Sequence, residues 1–118
     1  MKALDYEAGQ VLLFDKPYHW TSFDLVRKVR GLIRIRKIGH AGTLDPLASG
    51  LLIVCTGKMT KRITEFQEQE KEYIGTIQFG AMTPSYDLET EPEGTYPTAH
   101  IADSILRETA LGFVGEIK

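Results

Sequence analysis

Residues 38–46 read Ile38-Gly-His-Ala-Gly-Thr-Leu-Asp-Pro46, and this cluster of backbone breakers restricts the fold more than any other stretch. Two glycines and an Asp-Pro step cannot continue a regular helix or a central strand, so the segment is expected to be a loop. Before it, Leu25, Val26, Val29, Leu32 and Ile33 follow the i, i+4, i+7 spacing of one buried helical face. That helix should start near Phe23, where Thr21 or Ser22 can serve as its N-cap. After the loop, Leu51 to Thr56 is an apolar run of strand length that Gly57 ends. Upstream, Val11-Leu-Leu-Phe14 is a second short apolar run, closed by Asp15-Lys16-Pro17. Met59 to Gln69 suits a short helix, and Glu72 to Gly80 alternates like a strand, with Tyr73, Gly75, Ile77 and Phe79 on one face. The proline- and acid-rich stretch from Ala81 to Pro97 reads as a long exposed loop and the weakest joint of the chain. Thr98 can cap a last helix that turns Ile101, Ile105 and Leu106 to the core. Intermixed helices and strands predict an α+β fold, a mixed β-sheet with flanking helices.

A chain of 118 residues supports one domain with a modest core. Its 42% hydrophobic content is too high for a disordered chain, and no run approaches the roughly 18–20 apolar residues of a membrane span. The N-terminus lacks the apolar core of a signal peptide, and the single cysteine precludes an internal disulfide. Both features predict a cytoplasmic protein with no membrane partner. The net charge of −2 conceals a strong segregation. Residues 1–62 carry 11 Lys/Arg against 5 Asp/Glu, whereas residues 63–118 carry 3 against 11. Arg27, Lys28, Arg30, Arg34, Arg36 and Lys37 form a cationic cluster without an acid between them, a surface suited to a polyanion.

The chemistry-bearing candidates lie mainly in the breaker segment. His40 and Asp45 are proton-active, and Pro46 biases Asp45 toward an extended backbone that projects its carboxylate. An Asp-Pro step is equally an ordinary turn signal. The P-loop pattern fails here, since Gly39 and Gly42 have neither its spacing nor its lysine. His19, His40, His100 and the lone cysteine are scattered, so no metal site is expected. Tyr73 opens the alternating segment and can offer its ring to a flat ligand, or serve as an ordinary strand aromatic.

These segments together resemble the TruB-like tRNA pseudouridine synthase family, which isomerises the T-loop uridine of tRNA (position 55). The resemblance runs from Val11-Leu-Leu-Phe-Asp-Lys-Pro17 through Thr21-Ser22 and peaks at Ile38-Gly-His-Ala-Gly-Thr-Leu-Asp-Pro-Leu-Ala-Ser-Gly-Leu-Leu52. It continues through Gly57-Lys-Met-Thr-Lys61, Lys71-Glu-Tyr73, Phe79-Gly80, Thr83 to Asp87 and Gly112-Phe-Val-Gly-Glu-Ile-Lys118. Two departures stand out: His19 occupies a position where the family usually has glycine, and Pro84 follows Thr83 where the family commonly has Asp.

The resemblance implies a pseudouridine-synthase-like fold, with residues 1–118 as the N-terminal portion of the catalytic domain. The domain's second half and an RNA-binding domain would lie outside this chain. It implies Asp45 as the catalytic aspartate, Tyr73 as the ring packed on the target base, and His40 as the contact filling the place that base has left. Lys16 and Lys61 fall in motifs near the RNA or the cleft. Arg27, Arg30, Arg34, Arg36 and Lys37 are the natural phosphate contacts for a tRNA T-stem-loop partner. No cofactor or metal is implied, because isomerisation needs no redox step. A half-sheet alone would expose an edge and a face, so self-association is expected, and the isolated segment could equally be an inactive RNA-binding fragment.

Overall fold

The protein is described from a computed structural model, which covers residues 4–116; Met1–Ala3 and the end of the last family-like motif, Ile117 and Lys118, lie outside the described residues. Where composition predicts one domain, the chain forms two compact units, Met1–Tyr73 and Ile74–Lys118. The first unit orders β1 (Val11–Lys16), α1 (Ser22–Ile33), β2 (Ile38–Ala41), β3 (Gly50–Thr56), a 3-10 turn (Gly57–Arg62) and α2 (Ile63–Gln67). Its sheet runs β1-β3-β2 and both pairings are antiparallel, which corrects the expected mixed sheet. Short connections explain this: the eight residues from Gly42 to Ser49 can return a strand beside β2, but they are too few for a parallel crossover.

Helix α1 begins as its capping residues dictate. The Thr21 hydroxyl accepts the Asp24 N–H at 3.0 Å, while the Asp24 carboxylate accepts the Thr21 N–H at 3.0 Å and its O–H at 2.7 Å. These Thr21 hydrogen bonds, aided by Arg27, hold the Asp24 carboxyl below its ordinary pKa. Their contribution is therefore complete above the ordinary aspartate range and is lost as pH falls through the lowered value.

The helix turns Leu25, Val26 and Val29 onto Leu52 and Val54 of β3, with Leu12, Phe14, Ile33, Ile38 and Leu44 around them. Leu32, expected in the core stripe, is instead 70% exposed. Register explains which strand residues share this face. Leu12 and His40 pair with Val54, Phe14 pairs with Leu52, and Lys16 pairs with Gly50. The opposite face carries Leu13, Ile53 and Ala41 in one row and Val11, Cys55 and Gly39 in the next. Ile63 of α2 lies so close over Gly39 that a Cβ there would meet its Cδ1 at 2.9 Å. Leu13 and Leu51 stay mostly exposed on this second face.

Gly57 ends β3 for a steric reason. It adopts a φ of 51°, and a Cβ would lie 2.1 Å from the Glu7 carbonyl oxygen. Thr56 beside it fixes the N-terminal segment, its hydroxyl donating to the Tyr6 carbonyl at 2.8 Å and accepting the Gln10 N–H at 3.0 Å.

The second unit has little regular structure. The strand expected at Glu72 to Gly80 is absent: residues 72–79 are exposed without regular structure, and no strand of the described residues pairs with them. Alternation alone cannot satisfy backbone N–H and C=O groups. The stretch from 81 to 97 is the expected exposed loop, drawn together by a Met82–Glu93 bridge and a turn in which Tyr86 N–H donates to the Thr83 carbonyl. The last helix, α3, spans Asp103–Leu111 after Ala102 rather than a Thr98 cap, and Ile105 and Leu106 are exposed rather than core.

The register makes a direct prediction. Leu52→Ala should cost about 2–5 kcal/mol, because Leu52 is 1% exposed against α1. Leu51→Ala, at a residue 62% exposed, should stay within about 0.5 kcal/mol of wild type in chemical denaturation. Equal losses would mean the strand is shifted by one residue.

Candidate active site

Asp45 sits in the connection between β2 and β3, with its side chain exposed to solvent. What distinguishes it from an ordinary loop carboxylate is the restraint on its neighbours. The Ser22 hydroxyl accepts the Leu44 N–H at 2.9 Å and donates to the Leu44 carbonyl at 3.1 Å. On the other side, the Pro46 carbonyl accepts the His19 N–H at 2.7 Å, and Ala48 N–H closes a turn onto the Asp45 carbonyl at 2.9 Å. Leu44 packs against the core, so the bend is anchored inside as well as at its backbone. Asp45 is thus presented outward on a bend held from one flank by the first residue of α1 and from the other by the β1–α1 connection.

That connection is itself restrained. Lys16 is fully buried, and its Nζ donates to the Pro17 carbonyl at 3.0 Å and to the Trp20 carbonyl. Lys16 therefore ties the turn together from beneath. His19 has a φ of 67°, the left-handed conformation that a glycine favours, so its backbone suits the residue it replaces in the family pattern. Its ring packs edge-on against Tyr18, with centroids 4.3 Å apart.

His40 lies on β2 rather than in the expected loop, half-buried, at the strand end that leads into the Asp45 bend. Its Nδ1 hydrogen-bonds the Gly42 carbonyl. A carbonyl only accepts, so Nδ1 carries the proton, and Nε2 remains for a ligand. Lys61 is exposed on the 3-10 turn, and Tyr73, 69% exposed, ends the first unit. Arg27, Arg30, Arg34, Arg36 and Lys37 are all exposed on α1 and the connection after it. Arg27 is partly engaged with Asp24 at 3.3 Å. Burial pushes the Cys55 thiol up in pKa, the opposite of what an activated cysteine nucleophile requires. Sequence reasoning placed Ser22 only as one of two possible caps. Because Thr21 takes that role, the Ser22 hydroxyl is free to reach Leu44.

A helix packed on a small antiparallel sheet defines an α+β protein, with the solvent-facing Asp45 on its clamped bend as the candidate acidic site. The model of the TruB family pseudouridylate synthase N-terminal domain matches residues 30–118, and the chain belongs to that family. Three similar relatives are each described as tRNA pseudouridine synthase B. That of Flavobacterium johnsoniae is 57% identical over 96% of this chain and 52% of its own length. That of Phocaeicola vulgatus is 53% identical over 98% and 52%, and that of Chlorobium luteolum 49% identical over 92% and 39%. The chain spans about half the length, or less, of these relatives.

Substitutions at two positions test the clamp. Ser22→Ala leaves the Leu44 N–H and C=O without their partner, at an expected cost of about 1–3 kcal/mol. Faster hydrogen exchange at the Leu44 amide should accompany it; unchanged protection there would reject the clamp. His19→Gly should hold or raise the melting temperature, since it removes roughly 1–2 kcal/mol of left-handed strain against the flexibility glycine adds. His19→Val should lower it.

Proposed function

We propose that this chain is the N-terminal portion of the catalytic domain of a cytoplasmic tRNA pseudouridine synthase, and that Asp45 is its catalytic carboxylate. The observation that carries this reading is the outward-facing Asp45 side chain on a bend gripped through Leu44 and Pro46. The fold, on this proposal, is a piece of the pseudouridine-synthase fold, with the exposed Leu13 and Leu51 face available to further structure.

The reaction breaks the N1–C1′ glycosidic bond, turns the uracil, and rejoins it through C5, with the C5 hydrogen lost and N1 regaining a proton. It is an isomerisation and consumes no oxidant or reductant. A carboxylate serves it because it can bond to carbon and can accept a proton. The uridine must first leave its stack, at a cost of a few kcal/mol. Tyr73, exposed at the end of the first unit, offsets part of this by stacking, worth roughly 1–3 kcal/mol per base. His40, with Nε2 unoccupied by the Gly42 hydrogen bond, fills the vacated place in the T-loop. Arg27, Arg30, Arg34, Arg36 and Lys37 bind phosphates, with Lys61 beside the cleft. Lys16, buried under the β1–α1 connection, acts through that connection rather than by direct contact.

The half-length match to relatives favours a second reading for the 118 residues alone: they bind RNA and do not turn over. Tritium release from tRNA labelled at uracil C5 separates the two. Under the first reading, Asp45→Asn in the full-length protein should bind tRNA and release no tritium; normal turnover would remove Asp45 from the mechanism. Tyr73→Ala should lower kcat/KM by about 5- to 150-fold, the equivalent of the stacking energy. Tyr73→Phe should retain most of it. With four to six phosphate contacts, tRNA affinity should fall with salt at a log–log slope of roughly −3 to −5.

A further inference from the structure

Beside α1 lies an open groove of about 540 Å³ that shares only Arg27 with the site residues assigned above. Trp20 and Leu32 give it apolar walls, Arg27 and Lys28 give it cations, and Asp24 and Gly31 complete the side formed by the helix. His19, from the β1–α1 connection, also lines it. Asp24, Arg27, Lys28 and Gly31 fall at the i, i+3, i+4 and i+7 positions of one helical stripe, so they line a continuous surface.

Gly31 is the informative residue. Glycine inside a helix costs roughly 0.5–1 kcal/mol relative to alanine. Packing does not demand it here, since a Cβ at Gly31 would meet nothing within 4 Å. The chain therefore keeps a destabilising residue at a place where only open space is gained. The charge is asymmetric too. Asp24 is occupied by Thr21 and Arg27, whereas Lys28 has no ion-pair partner among the described residues.

The geometry points to a second RNA contact, a groove that seats one or two nucleotides of a single strand, with a base on the Trp20 indole and phosphates on Lys28 and Arg27. The volume lies within the range of ligand clefts. An aromatic platform beside cations is the combination that holds single-stranded nucleic acid without reading its sequence. The choice of RNA over another polyanion rests on the proposed function; the groove itself does not.

Trp20 is the only tryptophan, so its fluorescence reports occupancy directly. Titration of the chain with a short single-stranded oligouridine at low salt should give saturable quenching. Gly31→Glu and Gly31→Lys place side chains of similar length and opposite charge into the same space. The first should weaken binding at least tenfold, and the second should preserve or tighten it, with circular dichroism confirming that both remain helical. Lys28→Gln should weaken it about 5- to 10-fold. Absence of quenching, or equal affinities for the two Gly31 variants, would overturn the groove. Quenching by inorganic phosphate alone at the same concentration would also overturn it as a nucleotide site. The outcome is separable from the catalytic reading. Quenching of the chain together with no tritium release by the full-length protein would keep the groove and reject the synthase, whereas full-length turnover with a KM indifferent to Gly31→Glu would do the reverse.

Discussion

The hydrogen-bond pair between the Ser22 hydroxyl and the Leu44 backbone joins helix α1 to the bend that carries the candidate carboxylate. Ser22 is 2% exposed, so the pair is shielded from competing water. It fixes the first turn of α1 to the residue that precedes Asp45. Because Leu44 also packs against the core, displacement of the bend would disturb both a buried hydrogen bond and apolar contacts. An exposed carboxylate thereby acquires a defined position without becoming buried itself.

Beneath this arrangement lies Lys16, whose burial is costly for a cationic group and is compensated by carbonyl oxygens rather than a carboxylate. Both acceptors belong to the turn that Lys16 begins, so its long side chain braces residues 17–20 from within. The brace is set by register, because Lys16 falls on the same face as Leu12 and Phe14, beneath the turn and the start of α1. A shift of one residue would send the ammonium to the other face and leave the turn unsupported. Strand register, the turn and the Asp45 bend are consequently parts of one mechanical chain.

Much of this was legible in the residues. Helix α1 announced itself through a cap at Thr21 or Ser22 and the apolar stripe, and β1 and β3 through short apolar runs with clear stops. The strand β2 was not legible, because Gly39 and the neighbouring breakers hide a segment whose extended form is stabilised by pairing with β3. The reverse error befell residues 72–80, where alternation promised a strand that has no partner among the described residues. At the candidate site, Asp45 and His40 stood out by type and spacing. Ser22 did not, since its role depends on a contact 22 residues away in sequence. Lys16 was legible as a motif residue, but only the fold shows its ammonium turned inward.

Residues 17–22 serve two surfaces at once. His19 N–H and Ser22 hold the flanks of Asp45, while the side chains of His19 and Trp20 border the groove on α1. Such sharing explains why a residue in the left-handed region persists at His19: the backbone must turn sharply enough to send its N–H to Pro46 and its side chain the other way. A rigid sheet and helix carry the apolar packing, and the polar connections between them carry the candidate chemistry, the usual division in proteins that place reactive groups on loops. Here the connection is not free to wander, because Lys16, Ser22 and Pro46 fasten it at three points. The site gains its order from hydrogen bonds at the backbone on either side, and the Asp45 carboxylate accepts no hydrogen bond from the described residues.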